Sequence, residues 1–350
     1  MKIIIFAGGA GTRLWPLSRQ NSPKQFAELK DNQSTLQMAV NRVKDFGFKN
    51  TYIATNADYV KIVSEQIPEI PTDQIMTEPA RRDLAAAVGL ALFRLKARGE
   101  SGTVAMLWAD HFMDKPDNFV NALKQADELI TENPNRFIFL GEKARFANHN
   151  LGWIKLGKPV QENAYAFSAW KYRPEIQECE EMFASHDWVW NTGYFVFDID
   201  FVVNLYKKHQ PEMSAQLEKM VSNEKILKTE YPKLVATSFD QAIVEKINPD
   251  QAVVLKVNLG WSDPGTLYAL KEALSPGKDT NFLSGNTLAH LSTDSMLYNE
   301  EAGKLVVGIG LEGLVVVNTK DALLVCHKDQ VPEIKAVLKK IEEQGLQSYL

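Results

Sequence analysis

The stretch KIIIFAGGAGTRLWPL, residues 2–17, determines how the rest of the sequence is interpreted. It begins with a short apolar run, Lys2 to Ala7, of the kind that forms a buried β-strand. Gly8, Gly9 and Gly11 follow at once. Because glycine adopts positive φ and lets backbone N–H groups approach phosphate oxygens, these residues predict an anion-binding loop at the end of the strand.

Arg13 and Lys24 are the two cations that this segment offers to phosphates. Arg13 is a permanent, forked cation, suited to the charge that develops on a transferring nucleotidyl group, and a proline stiffens the approach to Lys24. A dinucleotide-binding fingerprint would need a third glycine where Leu14 stands, and a P-loop would need Gly-Lys-Ser/Thr in place of Thr12-Arg13. The alternative is a glycine-rich turn with basic residues that face solvent.

Length and composition are those of an ordinary globular protein. The chain has 350 residues, 45% hydrophobic and 24% charged, which predicts a large domain with a smaller one. Its net charge of −5 argues against a nucleic-acid-binding surface. Cys179 and Cys326 match no metal or redox spacing, which favours a reducing compartment. No apolar run approaches a membrane span, so we expect a soluble, cytoplasmic protein without a membrane or nucleic-acid partner.

Apolar runs alternate with helical patterns along the first part of the chain. This alternation predicts an α/β fold, with a Rossmann-like, mostly parallel sheet and helices on both of its faces. The predicted strands are Lys2 to Ala7, Thr51 to Thr55, Thr103 to Trp108 and Arg136 to Gly141, and the predicted helices are Ala85 to Lys96 and Phe119 to Ile130.

The later part of the chain has a different texture. From Leu151 to Phe197 the pattern is less regular, as expected for an insertion that covers a substrate cleft. The breaker Ser275-Pro276-Gly277 predicts a boundary between a large domain, residues 1–275, and a small one, residues 280–350. The small domain is predicted to be all-β and β-helix-like with a terminal helix, from its short β-prone runs at Leu305 to Ile309, Leu314 to Val317 and Ala322 to Val325 and the amphipathic stretch Glu333 to Gln344.

Six segments carry motifs, and they occur in a fixed order along the chain. They are GGAGTRLWPLSRQNSPKQF (8–26), Glu78-Pro79 with Arg82, Ala109-Asp110-His111, Trp190-Asn191-Thr192-Gly193, Ser238 to Lys246, and Gly260 to Gly265. Together they resemble the motifs of mannose-1-phosphate guanylyltransferases, the nucleotidyltransferases that make GDP-mannose. Gly310 to Val325 resembles a further segment of that family. The length suggests a short form without the isomerase domain that long bacterial members carry.

The resemblance implies that the chain transfers GMP from GTP to mannose 1-phosphate with the help of Mg²⁺. Arg13 and Lys24 would be catalytic, and the nucleotide would be bound by Gly8, Gly9, Gly11, Thr12, Glu78 and Arg82. Asp110 and Asp263 would hold the metal, since Mg²⁺ is commonly bound by one or two carboxylates together with substrate phosphates. The alternative for each aspartate is a helix cap or an Asx-turn. We expect His111 to be structural.

The remaining candidates concern the base and the sugar. Glu78 could accept hydrogen bonds from the ring N–H and the exocyclic amine of guanine, or it could be a strand-end carboxylate paired with Arg81 or Arg82. Asn191 and Gly193 resemble sugar-contacting positions, with a turn as the alternative, and Lys246 matches a family lysine but could be a solvated or capping residue.

One segment departs from the family pattern. The family carries F-x-E-K-P, whose glutamate contacts sugar hydroxyls and whose lysine contacts the sugar phosphate; here Trp170-Lys171-Tyr172-Arg173-Pro174 stands in its place. Arg173 keeps the cation, but Tyr172 cannot supply the same two acceptors to a diol. Trp108 also stands where the family has a proline. Tyr172 leaves a second interpretation open, namely a nucleotidyltransferase for another sugar 1-phosphate.

A third interpretation is a regulatory subunit that binds a nucleotide sugar without turning it over. The presence of Arg13, Lys24, Asp110 and Asp263 argues against it. We also expect a homodimer, with the small β domain as a candidate for the contact between subunits.

Overall fold

The computed structural model describes residues 1–9, 11–19, 23–30, 33–275, 277 and 279–350. Two compact units alternate along the chain. The first unit comprises Met1–Gly8, Val40–Trp108 and Met113–Trp261, and the second comprises Gly9–Ala39, Ala109–Phe112 and Ser262–Leu350. The boundary at residues 275–280 stays a prediction.

Strands and helices are numbered in chain order. The strands are β1 (Lys2–Phe6), β2 (Glu28–Lys30), β3 (Gln33–Ser34), β4 (Thr51–Asn56), β5 (Ile75–Glu78), β6 (Thr103–Trp108), β7 (Phe137–Lys143), β8 (Gly152–Gln161), β9 (Ala164–Tyr172), β10 (Trp188–Asp198), β11 (Ala252–Val257), β12 (Phe282–Ser284), β13 (Thr287–His290), β14 (Met296–Asn299), β15 (Val306–Ile309), β16 (Leu314–Asn318) and β17 (Leu323–His327). The α-helices are α1 (Thr35–Arg42), α2 (Val60–Gln66), α3 (Asp83–Ala97), α4 (Pro116–Glu132), α5 (Ile176–Ser185), α6 (Ile199–His209), α7 (Pro211–Val221), α8 (Glu224–Glu230), α9 (Phe239–Ala242), α10 (Leu267–Leu274) and α11 (Ile334–Glu343).

The first unit is built on a sheet of nine strands in the order β5-β4-β1-β6-β10-β7-β11-β9-β8. The pairs β5–β4, β4–β1, β1–β6 and β7–β11 are parallel, whereas β10 runs antiparallel to both β6 and β7. The hairpin of β8 and β9 adds an antiparallel edge beside β11. The α/β fold predicted from the sequence is confirmed, and the sheet that carries it is mixed.

Helices cover both faces of this sheet because successive strand side chains point to opposite faces. On one face, strand residues such as Phe195 and Phe197 share a core with residues of α3, α6, α7 and α9. On the other face α4 packs with Phe119 against Tyr194, their ring centroids 5.3 Å apart. None of the helices in the described parts of the chain has the length and hydropathy needed to span a bilayer.

The second unit contains a short stack of parallel coils. Strands β12, β14 and β16 pair in parallel and form one wall, and β13 pairs in parallel with β15 to form another. Asn318 Nδ2 donates to Asn299 Oδ1 at 2.7 Å across 19 positions of sequence, so equivalent asparagines are stacked on successive coils. This is the β-helix-like arrangement expected of the small domain.

The core of the second unit also contains the apolar part of the glycine-rich segment. Leu14, Trp15 and Leu17 are buried in one cluster with coil residues such as Met296 and Val315. Trp15 Nε1 donates to the backbone carbonyl of Tyr349 at 2.7 Å. The segment that follows the glycines is therefore held in a packed core, which fixes the C-terminal end of the glycine-rich loop.

Candidate active site

Two backbone hydrogen bonds bring the predicted metal ligands together in the second unit. Phe112 N donates to Ser262 O and Ser262 N donates to Phe112 O, each at 3.0 Å, which forms an isolated antiparallel bridge. Asp110 lies two positions before Phe112 and Asp263 follows Ser262. The bridge therefore fixes the register of the two loops from which the aspartates project.

Lys24 lies between the two carboxylates. Its Nζ is 2.6 Å from Asp110 Oδ2 and 3.9 Å from Asp263 Oδ1, and it donates to Pro264 O at 3.5 Å. The ammonium is mostly buried, whereas Asp263 keeps 40% of its side chain exposed. Three residues that the sequence proposes for one site thus form one cluster of alternating charge.

His111 lies next to the same two carboxylates. Its Nε2 is 3.9 Å from Asp110 Oδ1 and 3.7 Å from Asp263 Oδ1. Burial alone would raise the pKa of Asp110, but the Lys24 ammonium, helped by His111, outweighs burial and lowers that pKa below its ordinary value. Asp110 is therefore held as a carboxylate near neutral pH, the state in which it can bind a cation.

The donor set fits a hard divalent cation. Asp110 and Asp263 supply carboxylate oxygens that already converge on one positive group. Within the described residues, no group of three or more His, Cys, Asp or Glu side chains could hold a metal by itself. Two carboxylates that need phosphate oxygens to complete the ligand set are typical of Mg²⁺ sites and unlike closed structural zinc sites.

Gly11 lies against Lys24 at a position where a side chain would be crowded and its backbone strained. Its φ is +58°, and a Cβ placed there would lie 3.1 Å from Lys24 Cγ and 3.3 Å from Lys24 N. Gly9 also has a positive φ, of +102°. Gly9 and Gly11 belong to the second unit, and Gly8 is the last residue of the first segment of the first unit. Ala10 and the side chain of Thr12 lie outside the described residues.

The Arg13 guanidinium lies against Gly265, two positions after Asp263. A Cβ on Gly265 would be 3.2 Å from Arg13 Nη1 and 3.6 Å from its Cζ. Arg13 is otherwise exposed. The absence of a side chain at Gly265 lets the guanidinium approach the segment that carries Asp263.

Glu78, the predicted base-recognition residue, ends β5 in the first unit and is partly buried. Its Oε2 accepts a hydrogen bond from Tyr231 Oη at 2.7 Å. Burial raises the pKa of Glu78, and the Tyr231 hydrogen bond and Arg81 oppose that rise. Arg81 or Arg82 was the partner expected from the sequence, and Tyr231, which lies in a short 3-10 helix without a motif, was not expected.

Arg82 and Arg81 have different neighbours. Arg82 Nε donates to the carbonyl of Pro232, and its Nη1 donates to Arg81 O at 3.3 Å. Arg81 Nη2 donates to the hydroxyl of Tyr59 at 2.7 Å. Arg82 and Glu78 thus both form hydrogen bonds with residues 231–232.

Asn191 and Gly193 lie at an irregularity in β10, where the register with β7 shifts. Asn191 Oδ1 accepts from Gly193 N at 3.0 Å, and Trp108 Nε1 donates to Gly193 O at 3.0 Å. Gly193 has a φ of +72°, and a Cβ there would lie 2.9 Å from Trp108 Nε1. The tryptophan that replaces the family proline therefore requires glycine opposite it, a pairing that the sequence analysis did not foresee.

The other predicted sugar-phosphate residues are open to solvent. Tyr172, at the end of β9, is 67% exposed, and the Arg173 guanidinium lies 5.3 Å from the centre of its ring. Lys246 ends a short 3-10 helix and is exposed. Burial, then Lys208 and Lys246, lower the pKa of His209, so the charge of Lys246 acts on that imidazole.

Glu142 is a fully buried carboxylate that the sequence analysis did not single out. It accepts from the backbone N–H groups of Leu259, Gly260 and Trp261 at 2.8, 3.0 and 3.3 Å, and Arg145 Nη1 lies 3.0 Å from it. The only sequence signal was a glutamate at the end of an apolar strand with an arginine three positions later. Glu142 fixes the backbone of the residues that precede Ser262 and Asp263 in the chain.

Comparison with known families shows which family the chain belongs to. The family described as "Nucleotidyl transferase" matches residues 2–278, and the family described as "MannoseP isomerase/GMP-like beta-helix domain" matches residues 287–341. The chain belongs to the nucleotidyl transferase family, whose members act on a nucleoside triphosphate and a sugar 1-phosphate and generally use a divalent metal.

The names of individual relatives describe narrower activities than the family description does. The chain is 30% identical to the mannose-1-phosphate guanylyltransferase RfbM of Salmonella typhimurium, over 99% of this chain and 73% of that protein. It is 30% identical to the alginate biosynthesis protein AlgA of Pseudomonas syringae, over 98% and 72% respectively. A crystal structure from Thermus thermophilus, described as a mannose-1-phosphate geranyltransferase, is 27% identical with a TM-score of 0.87, over 97% of this chain and 99% of that one. The resemblance predicted from the motifs is confirmed.

Proposed function

We propose that this chain transfers GMP from GTP to mannose 1-phosphate, which yields GDP-mannose and pyrophosphate. The observation that carries the proposal is the convergence of Asp110, Lys24 and Asp263, because nucleotidyl transfer needs charge neutralisation at phosphates. The mannose and guanine specificities rest on the relatives named above.

In this reaction a phosphate oxygen of the sugar 1-phosphate forms a bond to the α-phosphorus of GTP, and the bond from that phosphorus to the bridging oxygen of pyrophosphate breaks. The nucleophile is already ionised, so no general base is required. Arg13 and Lys24 would neutralise charge on the reacting phosphates, and the anchored segment after Gly11 would hold Arg13 in place.

Asp110 and Asp263 would hold Mg²⁺, which when bound neutralises phosphate charge and orients the nucleotide. Lys24 has two possible anionic neighbours in this scheme, the carboxylates that it contacts in the structure and the phosphates of the nucleotide. Its position between both aspartates supports a role at the phosphates, since one ammonium can serve either set of oxygens.

Other predicted residues would recognise the base and the sugar. Glu78 would accept from the two donors of the guanine edge, and Arg82 would contribute to nucleotide binding. The sugar phosphate would be bound by Asn191, Gly193, Tyr172, Arg173 and Lys246. Because Tyr172 is 67% exposed and has no carboxylate, the identity of the sugar is the part of the proposal that most needs a direct test.

A substrate panel tests the function. Pyrophosphate release should be measured with GTP, ATP, UTP and dTTP, each crossed with several sugar 1-phosphates in Mg²⁺. We expect GTP with mannose 1-phosphate to be preferred by about a hundredfold or more, because buried hydrogen-bonding groups reject a base that cannot pair with them. Preference for another hexose or heptose 1-phosphate would favour the second interpretation, and binding of a GDP-sugar without turnover would favour the regulatory subunit.

Arg13→Lys tests the forked cation. The substitution keeps the charge but loses the planar donor pair, so kcat/KM should fall by roughly tenfold to a hundredfold with an unchanged thermal midpoint. Arg98→Lys, at the exposed residue that follows α3, is the matched control and should keep wild-type kinetics. Equal activities of the two variants would show that Arg13 does not act on the reacting phosphates.

The homodimeric assembly and the cytoplasmic location expected from the sequence stay predictions. Sedimentation of the purified chain would determine the first.

A further inference from the structure

Tyr231 is a fully buried tyrosine whose hydroxyl points at the candidate base-recognition residue. It lies in a short 3-10 helix after α8, and it is 0% exposed. Its Oη donates to Glu78 Oε2 at 2.7 Å across 153 positions of sequence. Among the described residues, this is the one side chain found to hydrogen-bond the Glu78 carboxylate. Because each carboxylate oxygen has two acceptor positions, both Oε1 and Oε2 keep acceptor capacity for a ligand.

The contact is part of a longer attachment between two segments of the first unit. Arg82 Nε donates to Pro232 O, and Ala85 N donates to Thr237 O at 3.1 Å. With the Tyr231 hydrogen bond, these contacts join the segment 78–85 to the segment 231–237 at three points. The segment that carries Glu78 and Arg82 is therefore held by hydrogen bonds at three points along its length. Of these three, only the Tyr231 hydrogen bond is made to the Glu78 carboxylate.

Tyr231 acts as a donor and not as an acceptor in this pair. Burial, reinforced by the negative charge of Glu78, raises the pKa of Tyr231 far above its ordinary value, so the phenol keeps its proton. The positive charge of Arg94, whose Nη1 donates to Thr77 O at 2.7 Å, partly opposes that rise of the Tyr231 pKa. A fixed donor on one carboxylate oxygen restricts rotation of the whole group, because both oxygens share one plane.

A comparison of guanine with hypoxanthine tests the orientation of the Glu78 carboxylate. Both bases have the N1–H donor, but only guanine adds the exocyclic amine, so a carboxylate must be correctly turned to accept from both groups at once. A carboxylate free to rotate would keep one hydrogen bond and lose the second for part of the time. The advantage of guanine over hypoxanthine thus measures how well the carboxylate is held.

We propose that Tyr231 is the positioning residue for base selection, which it performs by holding the Glu78 carboxylate in the plane that accepts both donors of guanine. This inference rests on the proposed function, since it requires that Glu78 binds guanine. It predicts a specificity effect from a residue that touches neither the base nor the phosphates. A purely structural tyrosine would instead change stability and leave base discrimination unchanged.

Tyr231→Phe removes one oxygen atom and keeps the buried ring. We expect KM for GTP to rise about tenfold with kcat within about twofold of wild type, because an oriented hydrogen bond to a charged group is lost without disturbing the reacting phosphates. KM for ITP should change less, so the preference for GTP over ITP should shrink. Both nucleotides would be assayed with mannose 1-phosphate in Mg²⁺.

Tyr206→Phe is the matched control. Tyr206 is also fully buried in the first unit, and its hydroxyl donates to Ala85 O at 2.6 Å, but it makes no hydrogen bond to Glu78. Both variants should lose similar stability in thermal unfolding. Only Tyr231→Phe should change the ratio of kcat/KM for GTP to kcat/KM for ITP. In a Glu78→Gln background, Tyr231→Phe should have no further effect on that ratio.

Two results would overturn the inference. One is an unchanged ratio for GTP and ITP in Tyr231→Phe, and the other is an equal change of the ratio in Tyr206→Phe. Failure of the proposed function would be recognised separately, since the wild-type protein itself would then show no preference for GTP over ATP.

Discussion

Asp110→Asn should reduce kcat/KM by roughly 10²–10³ while the protein stays folded, which is the size expected when one contact to a transition-state charge is removed. The reason is electrostatic. Asp110 is the carboxylate that Lys24 approaches to 2.6 Å, and its pKa is held low, so the native residue is negative near neutral pH. Asparagine has nearly the same shape but only one neutral acceptor, so it would bind a divalent cation much more weakly.

The measurement is initial rate against Mg²⁺ concentration for wild type and Asp110→Asn. Asp117→Asn, in the exposed first turn of α4, is the matched control for replacing an aspartate and should keep wild-type rates. Circular dichroism should give the same folded signal for all three proteins. Near-normal turnover by Asp110→Asn, or an unaltered Mg²⁺ dependence, would contradict the metal assignment.

The strands were predictable where apolar runs are uninterrupted. Thr103 to Trp108 agrees with β6 residue for residue, because a fully buried strand needs apolar side chains on both faces. The strand β8 was not predicted: it contains Gly157 and Pro159, its register against β9 shifts, and its second half is exposed. The helices α7 and α8 were also missed, since their buried apolar residues are few and lie among charged ones.

The candidate site shows a similar division. Residues in local motifs, such as Lys24, Asp110 and Asp263, could be named from the sequence, and the structure brings these three together. Tyr231 could not be named, because its contact with Glu78 spans 153 positions and no local pattern records it. The residues that hold others in position act through the fold, so they become visible only once the fold is known.

A second large effect is expected at Asp294, in the core of the second unit. Its Oδ1 is 2.5 Å from Lys271 Nζ and its Oδ2 is 2.6 Å from Lys328 Nζ, and Tyr268 Oη donates to both oxygens. The side chain of Lys271 is 0% exposed. Asp294→Asn should lower the free energy of unfolding by about 3–5 kcal/mol, because it removes the negative charge that lies 2.5 Å from a buried ammonium.

Asparagine is the informative replacement because Asp294 has a φ of +49°, a conformation that asparagine tolerates, so backbone strain does not contribute. Asp279→Asn, at an exposed position of the same unit, is the control and should leave the urea midpoint unchanged within experimental error. A stability of Asp294→Asn equal to that of this control would show that the two lysines do not depend on the carboxylate.

The pH dependence of the same difference gives an independent check. Burial opposes ionisation of Asp294, but hydrogen bonds from Lys271, Lys328 and Tyr268 prevail and lower its pKa from 3.8 to about 2. Because the folded-state pKa lies below the unfolded one, the stability that the carboxylate contributes is present above about pH 4 and is lost as the pH falls toward 2. The gap in urea midpoint between wild type and Asp294→Asn should therefore be constant near neutrality and should narrow below pH 4. A gap that stays constant across this range would place the effect of the substitution in packing and not in the charge of Asp294.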